Sequence, residues 1–185
     1  MKVNIKKKAF GSDVIFSDLS LTIKEGVTSF IMAPSGWGKT TLLRIMAGLD
    51  DDYEGTVESK CDIVLFQENR LVEGISVLSN LKALGVKEED SIDVLSHLSL
   101  YEERNKKVSE LSGGMKRRVA LSRVLLLSGD RYFLDEPFTG LDDECKREIA
   151  FYIAKKLSGK TVVVVSHNKE DSLLLRAVDT LVLGE

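Results

Sequence analysis

The chain has 185 residues, enough for one domain with its own core, and an ordinary globular composition of 43% hydrophobic and 30% charged residues. Its formal net charge of −3 excludes the broad basic excess of a wholesale nucleic-acid binder. Cys61 and Cys145 stand far apart without CxxC or Cys/His spacing, so reduced cytosolic thiols are expected rather than a disulfide framework or a zinc site.

In chain order, "MKVNIKKK" lacks the apolar region of a signal peptide, and Lys6, Lys7 and Lys8 read as solvated surface. "LSLTI" (19–23) alternates strictly, which predicts a half-exposed antiparallel strand. "VTSFIM" (27–32) predicts a buried strand, and a helix is expected from Thr40 to Ala47. "DIVLF" (62–66) reads as a second buried strand. From about Ile75 to Leu127 there is only helical periodicity broken by polar turns, which predicts an inserted helical subdomain, about 75–127. "RYFLD" (131–135), "TVVVVS" (161–166) and "DTLVL" (179–183) read as further buried strands, with helices at Asp142–Leu157 and Lys169–Leu175. The consecutive valines fit a parallel strand covered on both faces. Strand–helix–strand alternation predicts an α/β domain, 1–185, with a mostly parallel sheet. No apolar run reaches the roughly 20 residues that a membrane span needs.

"APSGWGKTT" (33–41) follows a strand and opens a helix, the context a Walker A phosphate loop requires. Successive backbone N–H groups at a helix N-terminus attract an anion. The expected nucleotide contacts are Ser35, Gly36, Trp37, Gly38, Lys39, Thr40 and Thr41. Lys39 would reach the β- and γ-phosphates and the Thr40 hydroxyl would ligate Mg²⁺. Ala33 replaces the usual first glycine. At positive φ an alanine costs on the order of 1–2 kcal/mol, so Ala33 is expected at negative φ. In "RYFLDEPF", Asp135 would hold Mg²⁺ through a water and Glu136 would polarise the attacking water. Neighbours on a strand face opposite ways, so a turn at Pro137 must redirect Glu136 toward the nucleotide.

"ELSGGMKRRVALSRVL" (110–125) resembles the signature of the ATP-binding cassette (ABC) superfamily, LSGGQ followed by a basic helix. "LFQENRL" around Gln67 resembles its Q-loop, "TGLD" ending at Asp142 its D-loop, and "VVSHN" at His167 its switch histidine. The order holds from Val3 to Leu183. The resemblance implies a P-loop NTPase (RecA-like) core with an N-terminal antiparallel β subdomain and a helical subdomain. It also implies a head-to-tail homodimer that sandwiches two ATP molecules. Each site would take Walker A from one chain and Ser112, Gly113 and Gly114 from the other. Ser112 also suits an N-cap. Gln67 would ligate Mg²⁺ or the lytic water, and His167 would contact the γ-phosphate. Phe10 stands where the family places an adenine-stacking aromatic, though a core role fits too. Trp37 touches the partner chain or fills the loop's apolar backing. Asp142 crosses the dimer interface or caps the next helix. His97 reads as a surface or packing residue. Met115 and Asn168 depart from the family's Gln and Asp.

"FQENRL" and "SHNKEDSLLLRAVDTLVL" look like the ATPase subunits of nitrate, sulfonate, taurine and thiamin-precursor importers. This implies an ATP-hydrolysing subunit at the cytoplasmic membrane face, driving separate permease subunits. Residues Leu71 to Leu81 are expected to line their docking groove. A soluble ABC ATPase of iron–sulfur cluster assembly and an exporter ATPase are the alternatives. The chain ends just after "LVLGE", without the strand hairpin and tail of many relatives, and weaker isolated dimerisation is expected from that.

Overall fold

The computed structural model describes residues 1–58 and 63–184. Cys61, and Asp62 at the head of the expected strand 62–66, lie outside the described residues. A parallel sheet has the order β5 (Ile63–Leu65), β6 (Arg131–Asp135), β7 (Thr161–Ser166), β3 (Thr28–Met32), β8 (Asp179–Val182). All six residues of β7 are buried, as expected for a strand with other strands on both sides and helices or sheet on both faces. Alternate residues serve two cores. Phe30, Val162, Val164 and Leu134 face one, whereas Ile31, Val163, Val165 and Phe133 face the other.

The second core lies under an antiparallel sheet ordered β2 (Asp13–Thr22), β1 (Lys2–Phe10), β4 (Glu54–Val57). β1 and β4 were not anticipated. Val3 and Ile5 point inward with period two, then the β1/β4 register shifts between Ile5 and Lys7, and Lys8 turns inward instead of Lys7. The expectation of a solvated lysine triplet is therefore corrected at Lys8. Only 1% of its side chain is exposed, and its Nζ donates to Asp50 Oδ1 at 2.9 Å and to the Asp52 carbonyl at 2.6 Å. Burial alone would lower the Lys8 pKa, but the Asp50 and Asp52 carboxylates outweigh it and hold the ammonium above its usual value.

Three helices among the described residues begin at a small oxygen-bearing side chain that caps them. α1 is Lys39–Met46, α2 Val77–Lys82, α3 Glu88–His97, α4 Gly113–Leu126, α5 Asp143–Lys156 and α6 Glu170–Leu174. Ser76, Ser112 and Asp142 accept from the N–H groups of Ser79, Met115 and Cys145 at the starts of α2, α4 and α5. α5 also carries Asp143 and Glu144 in its first turn and Lys155 and Lys156 in its last, which matches the helix dipole at both ends. α1, α3 and α6 have no side-chain cap; the N-cap residue of α1 is Gly38 at φ 99°, and the first N–H groups of α1 stay open to an anion. Between residues 75 and 127, α2, α3, a 3₁₀ turn at Val108–Glu110 and α4 alternate with turns, and the extended pairing among the described residues there is an isolated bridge between Ser76 and Lys107. Val77 and Leu81 of α2, Val94 and Leu95 of α3, and Val119 and Leu121 of α4 join the first core. His97 stacks on Tyr152 of α5, with ring centroids 4.3 Å apart, as a packing residue.

Candidate active site

Parallel register brings three strand ends side by side: Met32 pairs with Ser166, and Asp135 with Val165. Beyond those ends lies a cavity of about 490 Å³. Its lining takes Ser35, Gly36, Gly38, Lys39, Thr40 and Thr41 from the loop and α1. Gln67, Asp135, Glu136 and His167 arrive from the ends of β5, β6 and β7. Sequence reasoning placed these ten residues at one site, and the fold brings them together.

The loop is shaped by glycines where shape is needed. Gly36 and Gly38 have φ of 80° and 99°, a region that L side chains rarely adopt, while Ala33 is not among the positive-φ residues. The expectation for Ala33 holds. It is a buried residue at the end of β3, and its carbonyl accepts from Lys39 Nζ at 2.9 Å. Lys39 also donates to the Pro34 carbonyl at 3.0 Å, so the ammonium lies folded over the loop. Trp37 tilts against Phe16 with ring centroids 5.1 Å apart and belongs to the second core's rim, the apolar-backing role.

Thr40 Oγ1 donates to Asp135 Oδ2 at 2.7 Å. Burial raises the Asp135 carboxyl pKa, and the Thr40 hydrogen bond, Arg117 and Lys39 offset part of that rise. A hydroxyl and a carboxylate in contact, with the Gln67 amide across the cavity, form the all-oxygen donor set that suits Mg²⁺.

Glu136 reverses at its own Cα. Its φ is 46°, and its N–H donates to the Val165 carbonyl at 2.8 Å. The expected redirection at Pro137 therefore occurs one residue earlier. A left-handed residue breaks the strand's alternation and brings Glu136 to the side where Asp135 already stands. Its carboxylate is held on both oxygens. Oε1 accepts from the His167 N–H at 3.1 Å and lies 2.8 Å from His167 Nδ1, while Oε2 is 3.0 Å from Ser166 Oγ. Ser166 Oγ is also 2.8 Å from Asp171 Oδ2, and Asp171 pairs with Lys146 in a buried contact.

Ser112, Gly113, Gly114, Phe10 and Asp142 do not line this cavity. Ser112 and Asp142 are helix caps, and the backbone amide of Cys145 holds the Asp142 carboxyl below its usual pKa. Phe10 is 53% exposed, which removes the core alternative, and Lys8 Nζ sits 4.6 Å from its ring centroid. Within Leu71 to Leu81, Val77 and Leu81 are fully buried and Leu71 and Leu78 pack against the core, whereas Val72 and Ile75 are exposed. A hollow of about 190 Å³ beside the Q-loop is lined by Phe66, Glu68, Arg70, Leu84, Arg123 and Val124, with neighbouring residues. Sequence reasoning also missed Arg117 and Ser166. The signals were a basic run starting directly behind the signature and a hydroxyl directly before the switch histidine.

Residues 16–139 match the family model described as ABC transporter. The chain is 35% identical to an aliphatic sulfonates import ATP-binding protein of Paracoccus denitrificans over 177 residues, 91% of this chain and 73% of the relative. It is 35% identical to a taurine import ATP-binding protein of a Jannaschia species, covering 89% and 69% of the two chains. A tungstate uptake system ATP-binding protein of Peptoclostridium acidaminophilum is 33% identical, covering 97% and 91%. Among solved structures, a dimeric bacterial ABC transporter cassette superposes with a TM-score of 0.84 at 25% identity, covering 98% of this chain and 93% of that one. The same cassette in a dimeric post-hydrolysis state bound to ADP and Pi gives 0.83. The matched residues carry the phosphate loop, the signature and both strand-end carboxylates, and the chain belongs to the ABC transporter family as one of its ATP-binding, ATP-hydrolysing subunits.

Proposed function

We propose that this chain is a single nucleotide-binding domain, 1–185 with a helical subdomain at about 75–127, that powers solute import through separate permease subunits. The names of its relatives, import proteins for sulfonate, taurine and tungstate, support the import direction. No helix among the described residues is long and apolar enough to cross a membrane. The chain therefore meets the membrane through its permease partners at the cytoplasmic face, and the hollow beside the Q-loop suits a helix from them.

The observation that carries the reading is the separation of two N–H-rich helix starts. α1 opens into the cavity, whereas Ser112 to Gly114 at the start of α4 do not line it. A second copy, head to tail, supplies the missing signature, so that the γ-phosphate joins two chains. Within each site Lys39 binds the β- and γ-phosphates, and Ser35, Gly36, Gly38 and Thr41 cradle them. Phe10 stacks on adenine with its exposed face. Thr40, Asp135 and Gln67 hold Mg²⁺, which when bound neutralises charge on the phosphate oxygens. Glu136 accepts a proton from the attacking water, and His167 keeps Glu136 and the γ-phosphate in line. Trp37 stiffens the loop from behind, and Asp142 fixes the turn that faces the partner chain.

Light scattering tests the shared site. Glu136→Gln should be monomeric alone and dimeric with Mg-ATP, and a Ser112→Arg change should abolish that dimer without lowering the monomer's ATP affinity. A dimer that survives Ser112→Arg would overturn the shared site.

A further inference from the structure

Arg117, in the first turns of α4, is only 3% exposed. Its guanidinium faces two separate segments. Nη1 donates to the carbonyls of Phe66 at 2.6 Å and Gln67 at 3.2 Å, and to Asn69 Oδ1 at 3.3 Å. Nη2 donates to the carbonyls of Asp135, in a short contact, and Glu136, at 2.9 Å. Among the described residues no carboxylate forms an ion pair with it, and Nε has no hydrogen-bond partner. Burial lowers its pKa to about 10, against the pull of Asp135 and Glu136. A buried charge whose hydrogen bonds go only to neutral carbonyls adds little to stability that an apolar side chain would not. The planar fork does something an apolar side chain or an ammonium cannot: it binds both segments at once in fixed relative positions.

One of those segments is the Q-loop, whose Phe66, Glu68, Asn69 and Arg70 line the hollow proposed for the permease. The other is the turn at Glu136, held at φ 46°. Strained conformations persist only where surrounding bonds fix them. The Glu136 carbonyl accepts from Arg117, from Thr139 Oγ1 at 3.2 Å and from the Thr139 N–H at 3.3 Å. Arg117 is the one of these donors that reaches in from another element, so without the guanidinium the turn is free to shift relative to the Q-loop.

We propose that Arg117 is a positioning residue that ties the Q-loop to the base-bearing turn, so that displacement of residues 66–69 moves the Glu136 carboxylate. This rests on the reading of Glu136 as base and of the Q-loop hollow as the permease site. Arg117→Lys keeps the charge but cannot span both segments, and Arg117→Gln keeps one donor pair. Both variants should lose between about tenfold and a hundredfold in kcat, as expected for a base displaced by about 1 Å. The KM for ATP should change less than about threefold, because the phosphate loop is untouched. Asn69→Ala, which removes the loop's side-chain contact to Arg117, combined with Arg117→Lys should fall no further than the worse single variant, since residues acting through one link are not additive. Wild-type kcat in Arg117→Lys, or additive losses in the double variant, would overturn the proposal.

Hydrogen exchange with ADP, compared between the unaltered chain and Arg117→Lys, reads the link without hydrolysis. ADP should shift exchange at residues 66–70 and 135–138 together in the unaltered chain, and in Arg117→Lys the shift at 135–138 should fall while that at 66–70 stays. Unchanged shifts in both segments of Arg117→Lys would overturn the link. Glu136→Gln with full turnover would instead remove Glu136 as base, and the exchange result would still stand.

Discussion

His167 Nδ1 lies 2.8 Å from Glu136 Oε1, and the backbone N–H of His167 donates to the same oxygen at 3.1 Å. With Ser166 Oγ on Oε2, the Glu136 carboxylate meets donors on both oxygens. A glutamine at 136 keeps an acceptor for His167 and can donate to Ser166 Oγ, whose one proton then goes to Asp171, so Glu136→Gln removes the base while keeping these contacts. Its kcat should fall by about 10²–10⁴-fold, the usual contribution of a general base. ATP affinity should persist, because Lys39 and the glycine loop are unchanged. Phosphate release and calorimetry together check this, and wild-type turnover would remove Glu136 from the role.

Lys39 spans the loop to the carbonyls of Ala33 and Pro34. Those contacts are replaceable by phosphate oxygens, so the ammonium is available to a nucleotide at little cost. Hydrogen bonds to charged groups contribute about 1.5–3 kcal/mol. Lys39→Ala should therefore weaken ATP roughly tenfold to a hundredfold in titration calorimetry. Unchanged affinity would sink the phosphate assignment.

The legible part of this site is the part written as contiguous motifs on buried parallel strands. β7 is apolar at consecutive positions because both of its faces are covered, and that pattern survives in one dimension. β1 was hidden because a register shift breaks its period and a lysine occupies an inward position. Arg117 was hidden for a related reason. In the run Lys116-Arg117-Arg118, Lys116 pairs with Glu73 and Arg118 binds the carbonyls of Leu98 and Ser99. Only the helix phase, set by packing, decides which of the three turns toward the buried loops. The positive φ of Glu136 was equally invisible, because it is held by neighbours distant in sequence: Val165, Arg117 and Ser166.

Asp135 links stability to pH with a definite sign. Burial raises its folded-state pKa above the ordinary aspartate value of 3.8. The folded state thus binds this proton more tightly than the unfolded chain does. The contribution to stability is fully present below the ordinary value and is lost as pH rises through the raised one. Asp135→Asn removes that loss and can still accept from Thr40. It should melt higher than wild type near neutral pH, with the gap closing in acid. Mg²⁺-dependent turnover should drop in the same variant, since the anionic donor is gone. A lower melting temperature near neutral pH would contradict the sign.

Gly113 and Gly114 share the signature yet differ in surroundings, and the difference separates folding from function. A Cβ on Gly114 would lie 2.4 Å from the Gly140 carbonyl oxygen, whereas one on Gly113 meets nothing within 4 Å. Alanine in a helix is favoured over glycine by up to about 1 kcal/mol. Gly113→Ala should therefore leave the monomer's melting temperature unchanged or raised. In Gly114→Ala the backbone contact between α4 and the turn at Gly140 must open, and Gly140 is itself constrained at φ 76°. Its melting temperature should fall despite the better helix former. If the signature serves the partner's nucleotide, both variants should weaken the Mg-ATP dimer formed on a Glu136→Gln background. A stable Gly114→Ala monomer with an intact dimer would refute the close approach and the shared site together.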